Sequence, residues 1–226
     1  QTAARRKGGE RNPMKKLLFI GNSHTYFNDM PQMARELAAC AGEEAAVTML
    51  THGGMTLDWH FHQEQTRFNL LYGGYDFCVL QQAAHPFPGY EALAAGVSAI
   101  RGLCGENPPR FVLYMTWAEK RFPENQAPMT AAYRRTAEEQ SLLLAPAGEV
   151  WQSFRQGHPE QELYYTDGEH ASPLGSFLAA ACIARAIFPG SRPELSRTAE
   201  GGLLSGLTAR FGAPVLGQIL DAAWAD

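Results

Sequence analysis

Three side chains in this sequence have the types and placement that nucleophilic catalysis asks for. Ser23 lies in the stretch FIGNSHT, just past a short apolar run that breaks at Gly21. Asp167 and His170 lie three residues apart in DGEHASPLG, ahead of a second apolar stretch. A serine hydroxyl is a weak nucleophile near neutral pH and needs a base within hydrogen-bond reach. An imidazole can be that base, and a carboxylate on its far nitrogen orients it and stabilises the imidazolium that forms. A turn of that length can aim Asp167 and His170 at one pocket, so the three residues can serve as nucleophile, base and orienting acid.

The elements that must position them alternate along the chain. KKLLFI reads as a buried strand, and DMPQMARELAAC follows as a helix with Asn28 or Asp29 as its cap and Pro31 in its first turn. Its Met30, Met33, Ala34 and Leu37 fall on one face. AAVTML is the next strand and stops at THGG; a helix from about Leu57 to Leu71 then ends at Gly73-Gly74. YDFCVL predicts a third strand, GYEALAAGVSAIRGLC a third helix, RFVLYMTW a fourth strand, and APMTAAYRRTAEEQSLLLA the longest amphipathic helix. A short extended piece from Pro146 to Val150 is the expected fifth strand. SPLGSFLAAACIARAIF is helical with Pro173 in its first turn, and the tail adds two short helices.

Such alternation builds a mainly parallel five-stranded sheet with helices on both faces, a three-layer α/β/α sandwich of flavodoxin-like layout. Ligands bind these sheets at the carboxyl ends of the strands. That rule gathers Ser23, THGG, QQAAHP and TWAEK around one pocket.

Composition narrows the function classes. The 226 residues, 45% of them hydrophobic, suit one large core, and residues 14–226 are expected to form a single domain. A net charge of −4 offers no footprint for nucleic acid or an anionic membrane. The basic head, residues 1–13, has no apolar anchor and reads as a disordered extension, with Met14 as a natural start. No run approaches the roughly 18 apolar residues of a membrane span. Cys40, Cys78, Cys104 and Cys182 are far apart among apolar neighbours and read as buried free thiols of a reducing compartment, so a cytoplasmic location is expected.

FIGNSHT, HGGMT and DGEHASPLG together resemble the blocks of the SGNH (GDSL-like) hydrolase superfamily, over roughly Leu17 to Ala180. The last block, D-G-x-H-x-S-x-x-G ahead of an apolar helix, is the most specific part. The resemblance implies the SGNH hydrolase fold, Ser23 as nucleophile, His170 as base and Asp167 as its partner. It places the backbone amides of Ser23 and Gly54 in the oxyanion hole. It implies a serine esterase that needs no metal or organic cofactor and acts on a small-molecule ester, by analogy one with a short acyl group such as acetyl on a carbohydrate.

Two positions depart from the pattern. The Asp that usually precedes the serine is Asn22. The Gly-x-Asn-Asp that usually follows the third strand is here LQQAAHP. Counting from Asp76 puts His85 at the asparagine's place, whereas Gln82 lies nearer the strand end and carries an amide of the same chemistry. Gln82 is the favoured side-chain oxyanion donor, with His85 the alternative.

Asn22, His24, His85 and Trp117 are candidates for the substrate pocket, although a rim position for His24 and plain packing for Trp117 are competing explanations. His52, His60 and His62 raise a metal reading, but His60 and His62 fall in an expected helix, where i and i+2 do not share a face. GNSHT at a helix start lacks the Lys-Ser/Thr of a phosphate loop and the three-glycine spacing of a dinucleotide fingerprint. Two other functions stay open at this level: a nucleotide- or phosphate-binding protein on the same layout, and a catalytically silent carbohydrate binder.

Overall fold

The computed structural model describes residues 13–225, so the expected extension over residues 1–13 lies, apart from Pro13, outside the described residues. Five parallel strands form one sheet: β1 Lys15–Gly21, β2 Ala45–Thr51, β3 Phe77–Leu80, β4 Arg110–Tyr114 and β5 Leu143–Ala145, in the order β2-β1-β3-β4-β5. The helices are α1 Ser23–Tyr26, α2 Met30–Cys40, α3 Leu57–Phe61, α4 Glu64–Tyr72, α5 Tyr90–Arg101, α6 Gln126–Glu139, α7 Ala147–Gly157, α8 Pro173–Ile187, α9 Leu203–Phe211 and α10 Ala213–Ala223.

Strand β1 is interior, with Leu17 opposite Val47 on one side and Phe77 on the other. Successive strand side chains point to opposite faces. Leu17 and Phe19 therefore enter one core with Val79, Val112 and Tyr114, beneath α2, α7, α8, α9 and α10. Leu18 and Ile20 enter the other with Cys78, Leu80 and Leu113, beneath α3 to α6. Burial on both faces is why the strand reads as an unbroken apolar run.

From β1 the chain passes through α2 outward to β2, and from β3 it passes the other way to β4. The sheet order thus reverses between β1 and β3, and a crevice opens at their carboxyl ends. Helix α8 is the buried strut behind it. A Cβ on Gly175, in its first turn, would meet the Trp151 ring at 2.5 Å, so glycine lets the helix start press against α7.

Four expectations are corrected. The long helix stops at Glu139, because Ser141 takes φ +53°, and Leu143–Ala145, assigned to that helix, form the fifth strand instead. Residues 146–150, expected as that strand, lead into α7, which the pattern did not resolve. The segment from Leu57 to Leu71 is two helices, α3 and α4, with a break at His62–Gln63. Neither Asn28 nor Asp29 caps α2: both adopt left-handed backbone, and Asp29 makes no capping hydrogen bond. All four cysteines are free thiols. No single described helix is long and apolar enough to cross a membrane, and α9 and α10, which together reach that length, are bent by 112°.

Candidate active site

Ser23 opens α1 two residues past β1, where a helix start leaves backbone N–H groups without intrahelical partners. Asn22 accepts from the His24 N–H through Oδ1 at 3.1 Å and donates through Nδ2 to the Met55 carbonyl at 3.1 Å. Its side chain thereby ties the serine loop to the loop after β2. Gln81, fully buried at the end of β3, accepts from the Asn22 N–H at 2.8 Å and the Thr25 hydroxyl at 2.9 Å. A Cβ on Gly21 would come within 2.5 Å of that same Gln81 oxygen, so only glycine admits this brace.

Nδ1 of His170 lies 2.7 Å from Asp167 Oδ2, and its Nε2 lies 2.8 Å from Ser23 Oγ. Donation from Nδ1–H to the carboxylate leaves Nε2 to accept the serine proton, the tautomer that a general base needs. The other Asp167 oxygen accepts from the N–H groups of Glu169 at 2.9 Å and His170 at 3.0 Å. The three-residue spacing is thus a turn folded around its own carboxylate. Gly168 takes φ +74° within it, a conformation costly for other residues. Tyr165 N–H to the His170 carbonyl, at 2.7 Å, closes the turn. Burial pushes the Asp167 carboxyl up, but its hydrogen bonds from Glu169, the His170 ring and the His170 N–H outweigh that and leave its pKa lowered.

The His170 ring stacks with Phe27 at 4.2 Å and 18°, and with His24 at 5.0 Å and 29°. Phe27 is held there by Asn28, whose Nδ2 donates to the Ala171 carbonyl at 3.1 Å and the Ser176 hydroxyl at 2.8 Å. Asn28 and Asp29 are consecutive non-glycine residues at φ +55° and +53°, a strained pair that the tie to the histidine loop helps to hold. His24 is buried, 5.0 Å from the His85 ring and 5.4 Å from Trp117. Burial first, and then the neighbouring His85 and His170, lower its pKa to about 3, so it is neutral beside the base.

Of the four expected pocket residues, His85 lines a cavity. Asn22, His24 and Trp117 are buried among protein groups: Trp117 stacks on Trp151 at 3.8 Å and donates to the Glu169 carbonyl at 2.9 Å, which steadies the triad turn from behind. Gly54 sits at φ +73° in an exposed turn closed by Met55 N–H to the His52 carbonyl at 3.2 Å, and the Asn22 amide anchors that turn.

The Gln82 amide, the favoured oxyanion donor in the sequence, is engaged within the protein. Its Oε1 accepts from Leu57 N–H at 3.1 Å and Ala83 N–H at 2.9 Å, and its Nε2 donates to the Ala92 carbonyl at 3.3 Å. The strand alternation explains this: Gln82 continues the Cys78 and Leu80 side, toward α3 and α5, whereas Gln81 continues the Phe77 and Val79 side. His85 Nε2, by contrast, is buried without a hydrogen-bond partner, and burial lowers the ring's pKa. The other histidines disperse. His60 Nε2 contacts the Gly21 carbonyl at 2.7 Å, His52 packs on Trp59 at 4.8 Å, and His62 stands 3.9 Å from Asp58.

Gln81, Phe27 and Asn28 were missed in the sequence. Strand parity carried a signal for Gln81; nothing local marks a phenylalanine that meets a histidine 143 positions away.

No protein-family model matches the chain, and no curated protein matches its sequence. Solved structures do match it. A DUF4886 family protein from Bacteroides uniformis is 19% identical with a TM-score of 0.74, over 93% of each chain. A member of the lipolytic G-D-S-L family from Veillonella parvula is 10% identical with a TM-score of 0.57, over 78% of this chain and 97% of that one. A mutant of an acetyl-xylooligosaccharide esterase from Geobacillus is 16% identical with a TM-score of 0.51, over 77% of this chain and 93% of that one. With its five-stranded parallel sheet clad in helices on both faces, the chain has the fold of the SGNH (GDSL-like) hydrolases.

Proposed function

We propose that this protein is a serine esterase of SGNH type that works through an acyl-enzyme on Ser23. The observation that carries this reading is the unbroken hydrogen-bond chain from Ser23 Oγ through His170 to Asp167, with contacts of 2.8 and 2.7 Å. Neither a nucleotide site nor a sugar-binding site accounts for that chain.

His170 Nε2 takes the hydroxyl proton as Ser23 Oγ bonds to the ester carbonyl carbon. The carbonyl oxygen becomes an oxyanion against the Ser23 and Gly54 amides. His85, the neutral side chain on the β3 loop whose ring nitrogen has no protein partner, takes the third contact in place of Gln82. The C–O bond to the alcohol breaks as His170 returns the proton to it, and water then cleaves the acyl-enzyme by the same route. Asp167 stays ionised and stabilises the imidazolium at each stage. No step in this sequence calls on a metal or organic cofactor.

The short acetyl ester on a carbohydrate is supported by the likeness to the xylooligosaccharide esterase; the cavity described below favours a larger acyl group. The test is hydrolysis of p-nitrophenyl esters by the wild type beside Ser23→Ala and His170→Ala. Turnover lost by about 10³-fold or more in both, with folding intact, supports the reading. Wild-type turnover that persists in Ser23→Ala sinks it.

A further inference from the structure

A cavity of about 600 Å³ opens at His85, between the loop that follows β3 and the outer face of α6. Its wall is made by Phe87, Tyr90, Pro128, Met129 and Ala131 together with His85. The two charged side chains there are each already neutralised. Glu119 is 3.1 Å from Arg121, and Arg135 bonds Glu139 at 2.8 Å while its guanidinium lies 3.8 Å over the Tyr90 ring. The Tyr90 hydroxyl is bonded to Glu139 as well. The cavity therefore presents apolar and aromatic surface without an uncompensated charge, and its size falls in the range of about 300–1,000 Å³ that holds a drug-sized molecule. Two acetyl carbons would leave nearly all of it empty.

From these features we infer that the cavity is the acyl pocket, and that it takes an uncharged medium-chain or aryl-alkyl acyl group. This rests on the serine-esterase reading of the triad. The route follows from the site. The His170 ring stacks with Phe27, which in turn meets the ring of the exposed Tyr165 at 6.2 Å. His24 stacks with the same His170 ring, and His85 lies 5.0 Å from His24. His85 belongs both to the cavity wall and to the group of imidazoles around the base, which makes it the link by which an acyl chain on Ser23 would enter the cavity.

Two measurements test the pocket and its premise separately. The first is kcat/KM for p-nitrophenyl acetate, butyrate, octanoate and phenylacetate, in the wild type and in Ala131→Trp. Ala131 is solvent-exposed on α6, so the larger residue fits the fold and its ring fills the cavity. A buried methylene contributes at most about fourfold. We expect octanoate to exceed acetate by tenfold or more in the wild type, and Ala131→Trp to remove that gain. A flat or falling series, or a gain that Ala131→Trp leaves untouched, overturns the acyl pocket while leaving the esterase standing.

The second measurement is calorimetric titration of octanoate into Ser23→Ala, with and without Ala131→Trp. Binding abolished by the tryptophan supports the pocket even where no ester is turned over, in which case the esterase reading alone has failed. Absence of binding to Ser23→Ala counts against the pocket.

Discussion

His85 and Gln82 are separated by two residues and the proposed mechanism gives them different duties, which makes them the sharpest pair to mutate. The Gln82 side chain knits the β3 loop to Leu57 and Ala92, so Gln82→Ala leaves buried backbone groups unpaired. The expected cost is stability, of about 1–3 kcal/mol in a urea melt, with kcat nearly unchanged in the folded fraction. His85→Ala removes the assigned oxyanion donor and should lower kcat by about 10²–10³ while the melt moves little. The reverse pattern, with Gln82→Ala inactive and His85→Ala active, would return the donor role to the amide. Residue types and spacing alone were enough to pick out Ser23, Asp167 and His170. They were not enough to choose between Gln82 and His85, because an amide's worth as a donor depends on which side of the strand it leaves.

At the scale of elements, the turn between α1 and α2 is where backbone strain and the base meet. Asn28 accepts a left-handed backbone and spends its amide on Ala171 and Ser176, which keeps the Phe27 ring against His170. Asn28→Gly relieves the strain but cuts the tie. Stability should therefore stay within about 1 kcal/mol, whereas kcat falls by roughly tenfold with KM unchanged. A variant with full kcat would show that the stack does not hold the base in register. Strands β1, β3 and β4 were legible because they are buried on both faces and so read as continuous apolar runs, whereas the half-buried edge strand β2 was marked by its stop at THGG. Strand β5 was not legible. It has three residues, its leucines continue the apolar pattern of α6, and the break depends on Ser141 taking a left-handed conformation for which serine carries no local signature. The single helix expected over residues 57–71 failed for a related reason, since HFHQEQ has no glycine or proline to mark the break at His62–Gln63.

For the whole molecule, the buried histidines make stability depend on pH. The His24 pKa is lowered from 6.5 to about 3. Between those values the unfolded chain holds a proton that the folded chain refuses, so stability is full above about pH 6.5 and falls on acidification through that window. This one group contributes a slope of up to about 1.4 kcal/mol per pH unit. His60 and His85, also lowered by burial, act in the same direction, and Asp167, lowered by its hydrogen bonds, adds a loss at still lower pH. Urea melts at pH 7, 6 and 5 should show the decline, and His24→Phe should flatten it by close to one proton. An unchanged slope in His24→Phe would mean that this ring is protonated in the fold. Alternation anticipates a parallel sheet with its ligand site at the carboxyl ends of the strands, whereas the strand order, with its reversal between β1 and β3, is set by the fold. The aromatic cluster around the base could not be anticipated, since it joins α1, the β3 loop, the β4 loop and the turn before α8, which only the closed sheet brings together.

The most direct test of the account is intact-protein and peptide mass spectrometry after treatment with a fluorophosphonate, on the wild type beside Asp167→Asn. The account predicts one phosphonyl adduct, on Ser23, formed rapidly in the wild type and slower by about 10³–10⁴ when the His170 ring loses its orienting carboxylate. A folded wild-type protein that takes no adduct, or takes it on a serine other than Ser23, would contradict the assignment of Ser23 as the nucleophile.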